Sequence, residues 1–404
     1  MTTDLGGLPS AAHPSSPARG RAAVAATAAA TFTVVTTEML PVGLLSPLGA
    51  GLGVSKGAAG LAVTLPGLVA ALVAPAFPAL AGRHDRRVLL CGLMALLALA
   101  NAASALAPSY GVLLTARVAV GVCIAGVWTI AAALAHRLVP APAAGRATAV
   151  VFSGIALASV LGVPAGALVG EVAHWRWAFA AVGVLAALVA VVHAVLLPPL
   201  PTEAAVRPRE MAALLRLPAL RTGMALVALL VTGHFAAYTY VRPLLERVDG
   251  ITPGAIGALL FCYGAAGVAG NFAGGAVAGR SARRALLGVA AVLLVTVPPL
   301  AVASGGAALP VALLVVWGFG YGGLSVSAQC WVADSVTGGR AREAASGLCA
   351  GVFNAAIALG AAAGGVCADL AGVSVVPLLT GATAGAALAV LLLAAAGRHP
   401  AEPG

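Results

Sequence analysis

Twelve stretches of about twenty apolar residues, parted by short polar connections, leave this chain few ways to fold. They fall at about 23–47, 58–81, 88–107, 110–135, 147–170, 177–198, 222–244, 255–279, 285–304, 308–332, 345–368 and 374–396. Each is long enough to cross a hydrocarbon core of roughly 30 Å as a helix. Lipid offers a backbone no hydrogen bonds, so runs of this kind must be helical. The chain is 61% hydrophobic and 8% charged, where a soluble domain carries about a quarter charged residues. The expectation is an all-α membrane protein with twelve transmembrane helices in two pseudo-symmetric six-helix halves.

The halving comes from a repeat. The segment Ala81–Leu90, AGRHDRRVLL, returns at Ala278–Leu287 as AGRSARRALL, an offset of 197 residues. Each copy is a basic knot between two apolar runs, as internal repeats of membrane carriers produce. A Pro-rich segment bearing Arg207, Arg209, Arg216 and Arg221 then separates six runs from six. The division reads as a disordered tail at 1–20, a first half at 21–198, a linker at 199–221, a second half at 222–397 and a tail at 398–404.

The net charge of +10 reads as topology, not as nucleic-acid binding, because the arginines are spread over short loops. Arg83, Arg86, Arg87, Arg137, Arg146, the linker arginines, Arg280, Arg283, Arg284, Arg340, Arg342 and the tails lie on one side. Lys56, Arg176 and Arg247 lie on the other. Positive charge stays inside, so both termini are expected to be cytoplasmic and the location to be the cell membrane. Lys56, the single lysine, is followed by Gly57, so a Walker A loop is excluded. Six isolated cysteines form no Cys-x-x-Cys pair and read as small buried hydrophobes rather than metal ligands. No cofactor or metal is expected.

Few polar groups are left to carry chemistry. Glu38 is the one acidic residue well inside a spanning run; an ionised carboxylate is costly there, so such a group usually faces a cavity and often relays protons. Pro41 cannot donate to the carbonyl of Thr37 and so loosens the helix beside it. Arg117 is the basic residue deep in a run. Counting along helices that enter from opposite sides puts Glu38 about 8–10 Å and Arg117 about 10–12 Å below the same outer boundary, at similar depth. They could pair directly or act on one another at a distance; the alternative is an arginine that holds backbone carbonyls between helices. The repeat offset maps Thr37 onto His234, so a binding site built from both halves would include Thr37 and His234, with Tyr238, Asn271 and Asn354 as further candidates for its lining. Packing or interhelical bonding is the competing role for each of them. Gly162, Gly166 and Gly170 recur every fourth residue and permit close helix approach.

Several motifs resemble the major facilitator superfamily. The first knot, Pro78-Ala-Leu80-Ala81-Gly82-Arg83-His84-Asp85-Arg86-Arg87, is similar to that family's loop signature, though Gly82 stands where the family has aspartate. Thr36-Thr37-Glu38-Met39, the Leu113, Arg117, Gly121 series and Gly162-Val163-Pro164 with Gly166 and Gly170 resemble its drug:proton antiporter branch, including arabinose-efflux-like and chloramphenicol-resistance-like exporters. The resemblance implies proton coupling at Glu38 and Arg117, and a tight seal around Gly162, Pro164, Gly166 and Gly170. It also implies gating by Arg83, Asp85, Arg86, Arg87, Arg280, Arg283 and Arg284. A monomeric exporter of small amphipathic or hydrophobic compounds such as antibiotics is the leading expectation. An efflux carrier for sugars, nucleosides or other metabolites is the alternative. A transport-dead sensor or scaffold would be expected to carry a soluble signalling domain, and an enzyme would need a motif such as Gly-x-Ser-x-Gly, which the sequence lacks.

Overall fold

A computed structural model describes residues 17–81, 84–140, 144–200, 213–303, 306–337 and 339–396. Arg83, the greater part of the linker and the tail residues 1–16 and 397–404 lie outside them.

Every regular element among the described residues is helical, and 12 helices are long and apolar enough to cross a membrane. The first half comprises α1 (Pro17–Leu52), α2 (Lys56–Ala81), α3 (Arg86–Ala105), α4 (Tyr110–Leu138), α5 (Ala144–Val172) and α6 (Trp175–Leu196). The second comprises α7 (Pro218–Tyr238), the single turn α8 (Val241–Leu245), α9 (Pro253–Ala278), α10 (Ala282–Thr296), α11 (Ala308–Gly322), α12 (Leu324–Ser335), α13 (Gly339–Ala371) and α14 (Val376–Ala396).

Three runs that read as continuous helices are interrupted. The run 222–244 breaks at Thr239–Tyr240, where Pro243 cannot donate to the carbonyl of Thr239. The run 308–332 breaks at Gly323 between α11 and α12. The run 285–304 leaves the α-helix at Thr296, and Pro298 and Pro299 open a 3-10 turn. By contrast α1 runs unbroken through Pro41 and Pro47, and it begins at Pro17, ahead of the run read from the sequence.

The caps reproduce the repeat. Asp85 closes the N-terminus of α3 by accepting from Arg87 N at 2.8 Å, and Ser281 does the same for α10 from Arg284 N at 3.3 Å. The arginines beyond each cap reach across their own half. Arg87 Nη2 donates to the carbonyl of Ala194 on α6, and Arg283 Nη2 to that of Leu391 on α14 at 2.9 Å. Those two acceptors stand 197 residues apart, the repeat offset itself. Each basic knot therefore ties the third spanning segment of its half to the sixth, and Asp85 Oδ1 adds a bond from Leu200 N at 2.9 Å.

Burial sorts the helices. α1 and α7 lie at the centre, with Val34, Leu44, Leu230 and Val231 fully enclosed. α3, α6 and α14 turn apolar side chains such as Leu99, Val191 and Leu393 outward, as a lipid-facing surface requires. One buried cluster, with Leu90, Met94, Ile124 and Val189, belongs to the first half alone. Another joins Leu44, Ala62 and Trp175 to Tyr240, Leu244 and Val376 across both halves. The cysteines are free, but only Cys123 and Cys349 are buried; Cys262 is exposed, so its place on an apolar helix did not mean enclosure.

Two close contacts rest on glycine. α5 lies against α1, where a Cβ at Gly166 would come within 2.5 Å of Leu40 Cδ1 and one at Gly162 within 3.1 Å of Thr36 Oγ1. α9 and α11 touch backbone to backbone: a Cβ at Gly322 would strike the carbonyl of Gly267, and one at Gly274 would lie 2.6 Å from Gly323 Cα. Backbone cannot move aside as a side chain can. Gly322→Ala should therefore cost about 1–3 kcal/mol of stability and lower the thermal midpoint of the purified protein in detergent. Gly275→Ala, whose new Cβ meets nothing closer than Val326 Cγ2 at 3.5 Å, should leave it unchanged. Equal midpoints for the two variants would refute the backbone contact.

Candidate functional site

The polar groups read from the sequence gather midway along the bundle, on both sides of the plane between the halves. Glu38 is buried on α1, and its Oε1 has no hydrogen-bond partner. Arg117 on α4 is fully buried. Its guanidinium does not pair with the Glu38 carboxylate. Nε donates to the carbonyl of Ala62 at 2.8 Å, Nη1 to that of Thr37 at 2.9 Å and Nη2 to that of Glu38 at 3.1 Å. Of the arrangements the sequence allowed, the structure has the arginine on backbone carbonyls, joining α1, α2 and α4.

The local cause is Pro41. In an unbroken helix Thr37 O would accept from the amide of residue 41, which proline lacks. Arg117 supplies the missing donor, so α1 stays helical through the proline. The carboxylate of Glu38 is thereby held beside a fixed positive charge that already has other acceptors. Thr37 is buried; its hydroxyl donates to Thr33 O at 2.8 Å and accepts from Asn101 Nδ2 at 3.2 Å. Asn101 escaped the sequence reading, although an amide in the middle of an apolar run is itself a signal.

Across the plane, the second half presents rings. His234 on α7 stacks on Tyr321 of α11 with centroids 3.3 Å apart and planes 6° from parallel. Tyr238 stacks on the other flank of this group at 5.0 Å from His234, and Tyr263 of α9 follows at 4.9 Å from Tyr238. Trp317 stands edge-on to His234, Tyr238 and Tyr263. Its indole Nε1 donates to His234 Nδ1 at 3.1 Å. An accepting Nδ1 puts the imidazole proton on Nε2, so His234 is held as the neutral tautomer. The hydroxyls of Tyr263 and Tyr321 are buried without a partner, as is Thr36 Oγ1 on the α1 side. The sequence indicated His234 and Tyr238 here; it did not indicate Tyr263, Trp317 or Tyr321, which come from other segments.

The remaining candidates are more scattered. Asn354 on α13 is half-buried and donates to Ala350 O of its own helix at 2.9 Å, while its backbone lies against Gly67 of α2. Asn271 is half-buried on α9. Pro164 lies inside α5 with Gly162, Gly166 and Gly170 turned to α1. Asp85, Arg86, Arg87, Arg280, Arg283 and Arg284 lie at the end of the bundle bearing the basic knots.

The opposite end carries a polar tie between the halves that the sequence reading missed. Arg242 of α8, buried, donates to Gly43 O on α1 at 2.9 Å, to Glu171 Oε2 on α5 at 3.0 Å and to Glu246 Oε1 at 2.9 Å. Ser46 Oγ donates to Glu246 Oε2 at 2.6 Å. Nearby, Asp369 of α13 accepts from Ser55 Oγ at 2.7 Å and from Gly57 N at 2.9 Å. A carboxylate of one half thus caps the N-terminus of α2 in the other, where the helix dipole favours it.

With this geometry in view, similarity to known proteins becomes informative. A sequence profile of the Major Facilitator Superfamily matches residues 27–336 and 245–404. The chain is 35% identical over 377 residues to a transcription regulatory protein, OpdE, of Pseudomonas aeruginosa, spanning 92% of this chain and 91% of that one. It is 30% identical over 347 residues to the purine ribonucleoside efflux pump NepI of Salmonella paratyphi A, spanning 86% and 87%. In structure it resembles a bacterial homolog of the human lysosomal transporter Spinster in an inward-facing, unoccupied conformation. The TM-score is 0.79 at 17% identity, covering 96% of this chain and 100% of that one.

The arginine tie is testable by itself. Arg117→Lys keeps the charge but presents one donor group where three bonds fan out, so buried carbonyls lose partners at about 1–3 kcal/mol each. The variant should insert into membranes yet melt well below the parent protein in detergent. An unchanged midpoint would mean that the guanidinium is not what holds α1, α2 and α4 together.

Proposed function

The chain belongs to the major facilitator superfamily, and on that premise we propose that it exports a small molecule across the cell membrane in exchange for protons. It has the fold of a multi-pass transporter rather than of an enzyme. The observation that carries the reading is Glu38: a buried carboxylate on the dividing plane, with one oxygen lacking any donor, beside an arginine already committed to three carbonyls. Such a group can take a proton in one conformation and release it in another, and Arg117 sets the field in which it does so. His234 is less suited to that task, because its Nδ1 is occupied by Trp317.

Thr37, His234 and Tyr238, with Asn271 and Asn354 farther out, line the route of the substrate in this reading. Gly162, Pro164, Gly166 and Gly170 let α5 seal against α1. The basic knots face the cytoplasm with both termini, as the charge asymmetry supports. Arg86, Arg87, Asp85, Arg280, Arg283 and Arg284, with Arg83, serve gating there by keeping each half rigid as it tilts. The carrier works as a monomer.

For the substrate, the purine ribonucleoside pump among the relatives favours a nucleoside-like molecule over a lipophilic drug. A second reading, a membrane protein that regulates rather than transports, has the regulatory name of the Pseudomonas relative in its favour.

Glu38→Gln separates these readings. It preserves shape and removes titration. Uphill export driven by a pH gradient in membrane vesicles should fall at least about tenfold, the loss expected when a coupling free energy of roughly 1.4 kcal/mol or more is removed. Downhill exchange should persist. Uphill export by the variant at the parent rate, with the same dependence on the gradient, would move coupling elsewhere, and no export by either protein would favour the regulatory reading.

A further inference from the structure

The stacked rings of the second half have a feature that packing alone does not account for. Ordinary aromatic pairs prefer offset or edge-on contacts with centroids about 4.5–7 Å apart, and Trp317 makes contacts of that kind. Tyr321 and His234 instead lie nearly parallel, face on face, with centroids 3.3 Å apart. That contact is closer and more face-on than aromatic pairs favour, so a different occupant of the His234 face could relieve it. Tyr321 also has a buried and unpartnered hydroxyl. It sits in the last turn of α11, immediately before the break at Gly323.

One further orphaned group belongs to the same cluster of rings. Tyr263, buried at 6% exposure with its ring 4.9 Å from that of Tyr238, has a hydroxyl with no partner. A buried hydroxyl without a partner costs free energy unless something supplies one. His234 is fixed and neutral, and none of the five rings carries a formal charge while it remains so.

Resting on the transporter reading above, we propose that the Tyr321 ring occupies the position of the substrate's own flat ring. An uncharged heteroaromatic ring with acceptor atoms on its edge, as in a nucleoside, stacks on His234 against the Trp317 wall and takes the hydroxyl of Tyr263. Tyr321 swings aside to admit it. The pentose or other polar appendage then points toward Glu38 on α1, so that ring recognition belongs to the second half and proton binding to the first.

The test is binding rather than transport. The full-length protein in lipid nanodiscs is titrated by calorimetry with inosine, with hypoxanthine and with ribose. Inosine and hypoxanthine should bind and ribose should not. Tyr321→Ala and Tyr321→Leu, which remove the competing flat ring, should tighten inosine binding by about two- to tenfold, the range of a single aromatic pair. Tyr321→Phe, which keeps the ring, should bind as the parent does and shows that the position tolerates change. Tyr263→Phe should weaken binding by about two- to tenfold, the range of one hydrogen bond. Loss of binding in both Tyr321→Ala and Tyr321→Leu would make Tyr321 a ligand contact and overturn the proposal. So would ribose binding as well as inosine. Binding without transport would remove the transporter reading and leave this site standing; export of some other compound without inosine binding would do the reverse.

Discussion

The bonds from Arg117 to the carbonyls of Thr37, Glu38 and Ala62 hold the centre of this protein together. A proline inside a membrane helix frees a carbonyl that lipid cannot satisfy, and the usual result is a kink or a water-filled gap. Here a guanidinium from a neighbouring helix takes that carbonyl and the next, and α1 continues to Leu52. The arrangement has a chemical consequence. The arginine spends its donors on backbone, so the Glu38 side chain keeps a positive neighbour without a salt bridge to neutralise it. In the proposed exporter this placement leaves the carboxylate free to take a proton, which an ion-paired one would not be.

The two ends of the bundle are built differently. At the basic end Arg87, Asp85 and Arg283 bond within their own halves. At the other end Arg242 and Asp369 bond across them. Rigid halves joined at one end can rock about that end, which is how a central site is exposed to one side at a time. The cross-half tie is polar and partly exposed: the side chains of Glu171 and Glu246 are 34% and 25% accessible. Arg242 itself is buried, at 4% accessibility, so the tie is wet only on its carboxylate side.

Much of this was legible in the sequence, and the reason is scarcity. With 8% charged residues, Glu38 and Arg117 could not be hidden, and the offset that relates the knots also relates the acceptors Ala194 and Leu391, although the donors Arg87 and Arg283 are not equivalent positions. What Arg117 would bond was not legible, because a guanidinium satisfies a carboxylate and a carbonyl equally well. Tyr263, Trp317 and Tyr321 went unread because they lie in segments distant in sequence from His234; the close approach of α9 to α11 over Gly267, Gly318 and Gly322 helps bring them to it. Arg242 was concealed inside a run that read as continuous. Its spacing of four residues from Glu246, with Pro243 between, was the overlooked sign of a break.

The central claim is that substrate and proton compete through Glu38 at the plane between the halves. It is tested most directly by counting protons when inosine is added to the purified protein in weakly buffered solution near neutral pH. The account predicts release of about one proton per inosine bound by the parent protein and none by Glu38→Gln, since binding and titration are reciprocally linked. Equal release by both proteins, or none by a parent protein that binds inosine, would contradict it.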